Sequence, residues 1–147
     1  QHIGDAIKYL RVAVSAYPNS EYHEAAVESL KDARSRVAAR NFYVGRFYYK
    51  TGQYRSAIPR FVDVVNKYPE SELVPEALYK LVVAAGKLRM VNDSKLFFSK
   101  LTMEYPDSKW APKAEKKVEE YVKKYGKGEA GLLTQEMPTE GGGENNE

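Results

Sequence analysis

Cysteine is absent from the 147 residues, so within them there is no disulfide framework, no thiol nucleophile and no cysteine zinc site. Histidine is scarce: the chain holds 2, His2 and His23, and their spacing offers no metal pair. His23 reads as a surface or capping residue, being isolated from other ligand types. No Gly-rich phosphate loop and no G-x-S-x-G elbow occurs, and the glycine run at Gly141 follows no strand pattern. The adjacent carboxylates Glu119 and Glu120 lie in AEKKVEEYVKKY, where solvation of a Lys-rich helix is the ordinary role. No apolar run approaches the roughly 18 residues that a membrane-spanning helix needs. These gaps remove the usual catalytic constellations. The expectation is a non-enzyme with no catalytic residue, no cofactor and no metal.

Charge of one sign is lacking only locally. The 22 residues from Gly126 carry five Glu against one Lys; subtracting these from the totals of 23 basic and 20 acidic residues leaves residues 1 to 125 at 22 minus 15, or +7. A basic body invites nucleic acid or anionic lipid as a partner, yet Lys, Arg and Glu alternate through it as on any solvated helix surface. No nucleic-acid partner is expected. The last stretch, GKGEAGLLTQEMPTEGGGENNE, holds six of the 10 glycines and no periodic apolar face, so residues 126–147 read as a disordered acidic tail.

What the body does have is repetition. YPNS at Tyr17, YPES at Tyr68 and YPDS at Tyr105 are three copies of one punctuation mark. The tetratricopeptide pattern, laid over NFYVGRFYYKTGQYRSAIPRFVDVVNKYP, places Asn41, Val44, Gly45, Tyr48, Ala57, Phe61 and Pro69 on its key positions, with Asn for Trp at the first. The same register then catches Leu78, Leu81, Val82, Ala85, Ser94, Phe98 and Pro106, and upstream Ala6, Leu10 and Pro18 repeat the back half of the unit. Paired helices approach closely only where small residues such as Gly45 and Ala57 sit, while Tyr48 and Phe61 fill the wider part of the layer. Each proline closes a unit because it disfavours helix in the residue before it.

The predicted helices are Asp5 to Tyr17, Glu21 to Lys50, Tyr54 to Tyr68, Pro75 to Leu88, Asp93 to Tyr105 and Ala111 to Tyr125, with Ser20, Asp93 and Ser108 as capping residues. Pro59 is expected to bend the third helix or adjust its first turn. The proline marks lie 51 and then 37 residues apart, a difference of 14, close to four helical turns. Whole extra turns lengthen a helix without rotating its buried face. One long second helix follows, with Leu30, Ala33, Val37, Val44 and Tyr48 on its apolar stripe. The fold class is all-α: a tetratricopeptide (TPR) helical-hairpin superhelix with one extended helix over residues 1–125.

Two candidate surfaces lie on that helix. Arg36, Arg40, Tyr43 and Phe47 follow steps of four, three and four, forming one stripe away from the buried ladder. Arg and Tyr dominate the energetic centres of interfaces, which makes this stripe the candidate partner-binding face. Its competing structural role is packing of Tyr43 and Phe47 against a neighbouring repeat, with the arginines snorkelling over them. Phe42, Arg46 and Tyr49 are expected to line a peptide groove on the side away from the paired helix.

The combination of YPNSEY, RSRVAARNFYVGRFYYKTGQYRSAIPRF, VVNKYPES and VPEALYKL resembles the BamD family of outer-membrane assembly lipoproteins from about Asp5 to Tyr121. That resemblance implies a scaffold of the machinery that inserts β-barrel proteins, at the periplasmic face of the bacterial outer membrane and held there by a lipid anchor. The chain starts on the back half of a repeat and holds no cysteine, so by that resemblance it is expected to correspond to the C-terminal part of such a protein. The implied partners of that part are the POTRA domains of the barrel-forming subunit and accessory assembly lipoproteins, with Arg36 set against the acidic side of the last POTRA domain. Where the family often has an acidic residue, this chain has Asn41. A TPR protein of the Tol-Pal system that coordinates cell-wall synthesis, and a generic peptide-binding TPR module, share the repeat marks; the extra four turns argue against the former.

Overall fold

The computed structural model describes residues 2–19 and 21–126; the predicted tail beyond Gly126 and the predicted cap Ser20 lie outside the described residues. Among the described residues six helices follow in order: α1 (His2–Ala16), α2 (His23–Lys50), α3 (Tyr54–Lys67), α4 (Val74–Lys87), α5 (Val91–Glu104) and α6 (Trp110–Tyr125). No strand occurs among the described residues. The architecture is all-helical and of the TPR hairpin type. The chain divides into two compact units, residues 1–77 and 78–147, with the division falling within α4.

In the first unit α2 packs against both α1 and α3. It runs 28 residues where α3, α4 and α5 each run 14. At about 1.5 Å per residue it is about 42 Å long. On α3 the buried residues Ala57, Ile58, Phe61, Val64 and Val65 fall at the spacing of one helical face. Phe61 is fully buried and meets the ring of Phe42 edge-on at 5.6 Å, a geometry worth about 0.5–1.5 kcal/mol beyond burial. A Cβ placed on Gly45 would stand 3.0 Å from Phe61 Cε1 and 3.1 Å from Arg60 Cβ, so any larger residue here must push the Phe61 ring aside by a few tenths of an ångström. The sequence pattern set Gly45 against Ala57; the structure sets it under the Phe61 ring.

The second unit makes its close approaches through different contacts. Ser94 of α5, in the register position of Ala57, is fully buried and donates its hydroxyl to the Val82 carbonyl at 2.8 Å. The Tyr121 ring of α6 lies so close over Gly86 of α4 that a Cβ there would fall 2.1 Å from Tyr121 Cε2. Ala111, Ala114, Val118 and Tyr121 form the buried face of α6.

Hydrogen bonds explain the punctuation. Across Tyr68–Ser71 the Ser71 N–H donates to the Tyr68 carbonyl at 3.0 Å, and across Tyr105–Ser108 the Ser108 N–H donates to the Tyr105 carbonyl at 3.1 Å. These are turns with proline at the second position, where its fixed φ suits the conformation. The serine then starts the next helix: Ser71 Oγ accepts the Leu73 N–H and Ser108 Oγ accepts the Trp110 N–H, both at 3.2 Å. Ser108 thus binds an N–H of the first turn, although the residue directly preceding α6 is Lys109. Asp93 is not a cap: the residue preceding α5 is Met90, and Asp93 sits in the first helical turn, buried.

The turns inside the hairpins match too. After α2, Gly52 has φ +75° and Gln53 N–H donates to the Tyr48 carbonyl at 2.8 Å; after α4, Arg89 has φ +63° and Met90 N–H donates to the Ala85 carbonyl at 2.9 Å. Both are the left-handed helix ending that favours glycine. The second repeat makes it with arginine, whose guanidinium lies 5.2 Å from the Tyr125 ring centre. Pro59 lies inside α3 on its exposed side.

Candidate interaction surface

Four turns of α2 decide the candidate surface. Arg36, Arg40, Tyr43 and Phe47 are all exposed, Tyr43 at 57% and Phe47 at 61% of full accessibility. Within the described fold the two aromatics are therefore not packed into a neighbouring repeat. Tyr43 touches Phe42 edge-on at 5.7 Å, and Phe47 touches Tyr48 at the same distance, so each ring has a partly fixed position from its chain neighbour. Arg36 Nε stands 3.0 Å from Asp32 Oδ2, one turn earlier on the same exposed face. A surface pair of this kind is worth only a few tenths of a kcal/mol, so the guanidinium is available for exchange to a better carboxylate.

The expected groove is not formed by the residues assigned to it. Phe42 is 1% exposed and packs on Phe61 of α3, the helix it was expected to face away from. Tyr49, two turns further on, also turns to α3, edge-on to Tyr54 at 5.8 Å and to Phe61 at 6.3 Å. The cause is that α2 has a neighbour on each side. Its buried residues are Ala33, Ala38, Phe42 and Gly45, whereas Leu30, Val37, Val44 and Tyr48 of the predicted ladder are only half-buried.

Concavity appears elsewhere, between α1 and α3 over α2. One cavity of about 370 Å³ takes in Arg36, Arg40 and Asn41 of α2, Arg60 of α3 and the first turns of α1. A second, of about 640 Å³, adjoins it through Gly4, Ile7 and Tyr68 and is walled by Lys8 and Arg11. Sequence reasoning did not find this trough, because its walls come from three separate helices.

Arg34 was also missed. Its Nε donates to Glu70 Oε1 and its Nη2 to the Lys67 carbonyl, while the guanidinium lies 4.9 Å from the Tyr68 ring centre. It therefore binds the end of α3 and the start of the turn together. The hydrogen bond from Arg34 holds the Glu70 carboxyl below the ordinary glutamate range, with burial opposing and Arg11 adding a smaller pull in the same direction. Asp93 moves the other way, raised by burial, and its Oδ2 has no hydrogen-bond partner. Among the described residues no three His, Asp or Glu side chains gather as a metal site would require, and no helix is long and apolar enough to cross a membrane.

Residues 1–96 match the family model described as YfiO, an outer membrane lipoprotein. The chain belongs to the YfiO/BamD family. It is 31% identical over 105 residues to the outer membrane protein assembly factor BamD of Caulobacter vibrioides, covering 71% of this chain and 34% of that protein. It is likewise 31% identical over 108 residues to BamD of Rickettsia prowazekii, covering 74% of this chain and 43% of that protein. The chain thus spans well under half the length of these relatives.

Proposed function

We propose that this chain is a non-catalytic TPR scaffold of outer-membrane protein assembly, acting at the periplasmic face of the membrane. Its work is to hold partners: the POTRA domains of the barrel-forming subunit through Arg36, Arg40, Tyr43 and Phe47, and accessory assembly lipoproteins through surfaces not assigned to residues. The names of the two relatives support the assembly role, and the family description supports an outer-membrane location. The observation that carries the binding site is the exposure of two large aromatics in line with two arginines on a helix twice the usual length. Exposed aromatic and guanidinium groups in one row supply apolar area with directed polar ends, the composition of interface centres.

Calorimetric titration of the chain with POTRA domains from the same source tests this reading. Arg36 gives up its loose pair with Asp32 for a buried, bidentate carboxylate on the partner, which lysine cannot reproduce. Arg36→Glu is expected to weaken binding by about 2–5 kcal/mol, the range for truncating one side of a buried charge pair. Equal affinity of variant and wild type rejects the site, and absence of binding by folded wild type rejects the partner.

A further inference from the structure

The outward face of α6 is a row of lysines that no carboxylate answers. At about 100° per residue, Lys109, Lys113, Lys116, Lys123 and Lys124 fall within about 100° of arc, on the side away from the buried Ala111, Ala114, Val118 and Tyr121. All five are exposed, and among the described residues none makes an ion pair within 4.0 Å. The acid inside that arc, Glu120, is already engaged by Lys117 at 3.6 Å. At about 1.5 Å per residue the row is about 22 Å long. Trp110 borders its start: the ammonium groups of Lys109 and Lys113 lie 5.3 and 4.8 Å from the indole ring centre, and the Tyr79 ring meets it at 5.1 Å.

We propose that this face docks on the anionic phospholipid surface of a bilayer, a membrane contact additional to any lipid anchor; the inference rests on the reading of the chain as acting at the outer membrane. The chemistry of the row favours lipid over an acidic protein. It holds no arginine, and lysine is a compact point charge on a flexible stem, without the planar fork that selects a carboxylate in a fixed geometry. Such charges along a straight line suit a plane of mobile phosphates. A tryptophan beside them suits the same boundary, where its ring sits at headgroup level and its N–H stays wet. Each lysine near an anionic surface raises partition about fivefold, so five raise it about 3,000-fold. Contact along the row also fixes orientation: Gly86 of α4 lies under Tyr121 and α5 packs on α6, so both helices stand on the side away from the bilayer.

Trp110 is the single tryptophan of the chain, so its emission reports on this face without a label. Titrating the full chain with vesicles of equal parts phosphatidylglycerol and phosphatidylcholine is expected to shift that emission to the blue and to co-sediment the chain. Vesicles of phosphatidylcholine alone are expected to do neither. Binding is lost near 1 M salt, where the Debye length is about 3 Å. Lys113→Gln combined with Lys116→Gln is expected to weaken vesicle binding about 25-fold. A charge-matched control, Lys67→Gln with Lys100→Gln, removes lysines already paired with Asp63 and Glu104 and is expected to stay within about twofold of wild type. No binding to the anionic vesicles, equal binding to both kinds, sedimentation without a Trp110 shift, or a control as weak as the α6 pair overturns the proposal. A chain that binds POTRA domains but not anionic vesicles refutes this inference alone; one that binds the vesicles but not POTRA domains refutes the partner reading alone.

Discussion

Arg34 offers the sharpest quantitative test of how the long helix is held, because its three contacts differ in kind and can be removed separately. The hydrogen bond from Nη2 to the Lys67 carbonyl is charge-assisted, and the Arg34 side chain is only 18% exposed, so its loss costs about 1.5–3 kcal/mol. The stacking on Tyr68 adds about 0.5–1 kcal/mol. The ion pair with Glu70 adds less, about 0.2–1 kcal/mol, because the Glu70 side chain is 48% exposed and water screens it. Arg34→Ala is therefore expected to destabilise by roughly 2–4 kcal/mol and Glu70→Gln by under about 1 kcal/mol. The double variant defines a coupling of similar size to the smaller loss.

Denaturant unfolding of the four proteins at several pH values reads this out. Glu70 has its folded pKa below the unfolded one, so its contribution is complete above the ordinary glutamate range and is lost as pH falls through the lowered folded value. The gap between wild type and Glu70→Gln should hold constant from neutral pH downward, then close in acid; the larger loss in Arg34→Ala should persist there, since its carbonyl contact does not titrate. Glu70→Gln costing as much as Arg34→Ala, or a gap that widens in acid, would refute the partition.

Three further outcomes follow from the second unit. Arg89→Gly removes a left-handed non-glycine residue and is expected to stabilise by about 0.5–1 kcal/mol, less whatever the Tyr125 contact returns; a thermal shift upward checks it, and a drop of more than about 1 kcal/mol contradicts it. Gly86→Ala drives a methyl group into the Tyr121 ring and should cost about 1–3 kcal/mol, an effect that shrinks sharply in a Tyr121→Ala background because the two substitutions share one contact. Asp93 has a raised folded pKa, so its neutral form is the stable one: wild type should lose stability relative to Asp93→Asn as pH rises through that value, leaving the variant ahead by about 1 kcal/mol at neutral pH in urea titrations.

Local chemistry was readable in the sequence wherever a residue acts on its own backbone. The YPxS marks gave the helix ends because proline and serine shape the turn by themselves, as the matching bonds at Ser71 and Ser108 demonstrate. The length of α2 followed from the same marks. What failed were inferences about which side of a helix meets what. Phe42 was assigned to an open wall because one apolar ladder was drawn for α2, although a helix packed on two sides buries a wider arc. Asp93 looked like a cap because it belongs to the favoured residue types; the tight turn through Arg89 had already started α5 two residues earlier, at Val91. The Gly86 notch and the Arg34 clamp depend on partners 35 and 36 positions away, Tyr121 and Glu70. No local pattern encodes such partners.

The extension of α2 places its two middle arginines in opposite roles, and that opposition can be tested. Arg34 and Arg36 are two residues apart, which rotates their side chains by about 200° around the helix. Accordingly Arg34 is 18% exposed and bound to the end of α3, while Arg36 is 69% exposed and carries only a surface pair. A substitution at Arg34 should thus lower stability and leave affinity for an acidic partner within about twofold once the protein is folded, because none of its three contacts reaches the outer stripe. A substitution at Arg36 should do the reverse, shifting stability by no more than about 0.5 kcal/mol and carrying its effect in binding. Unfolding curves and calorimetry on the same two variants separate these cases. If Arg34→Ala weakens binding in proportion to Arg36→Glu, the long helix binds as a unit whose position, rather than its outer side chains, determines recognition.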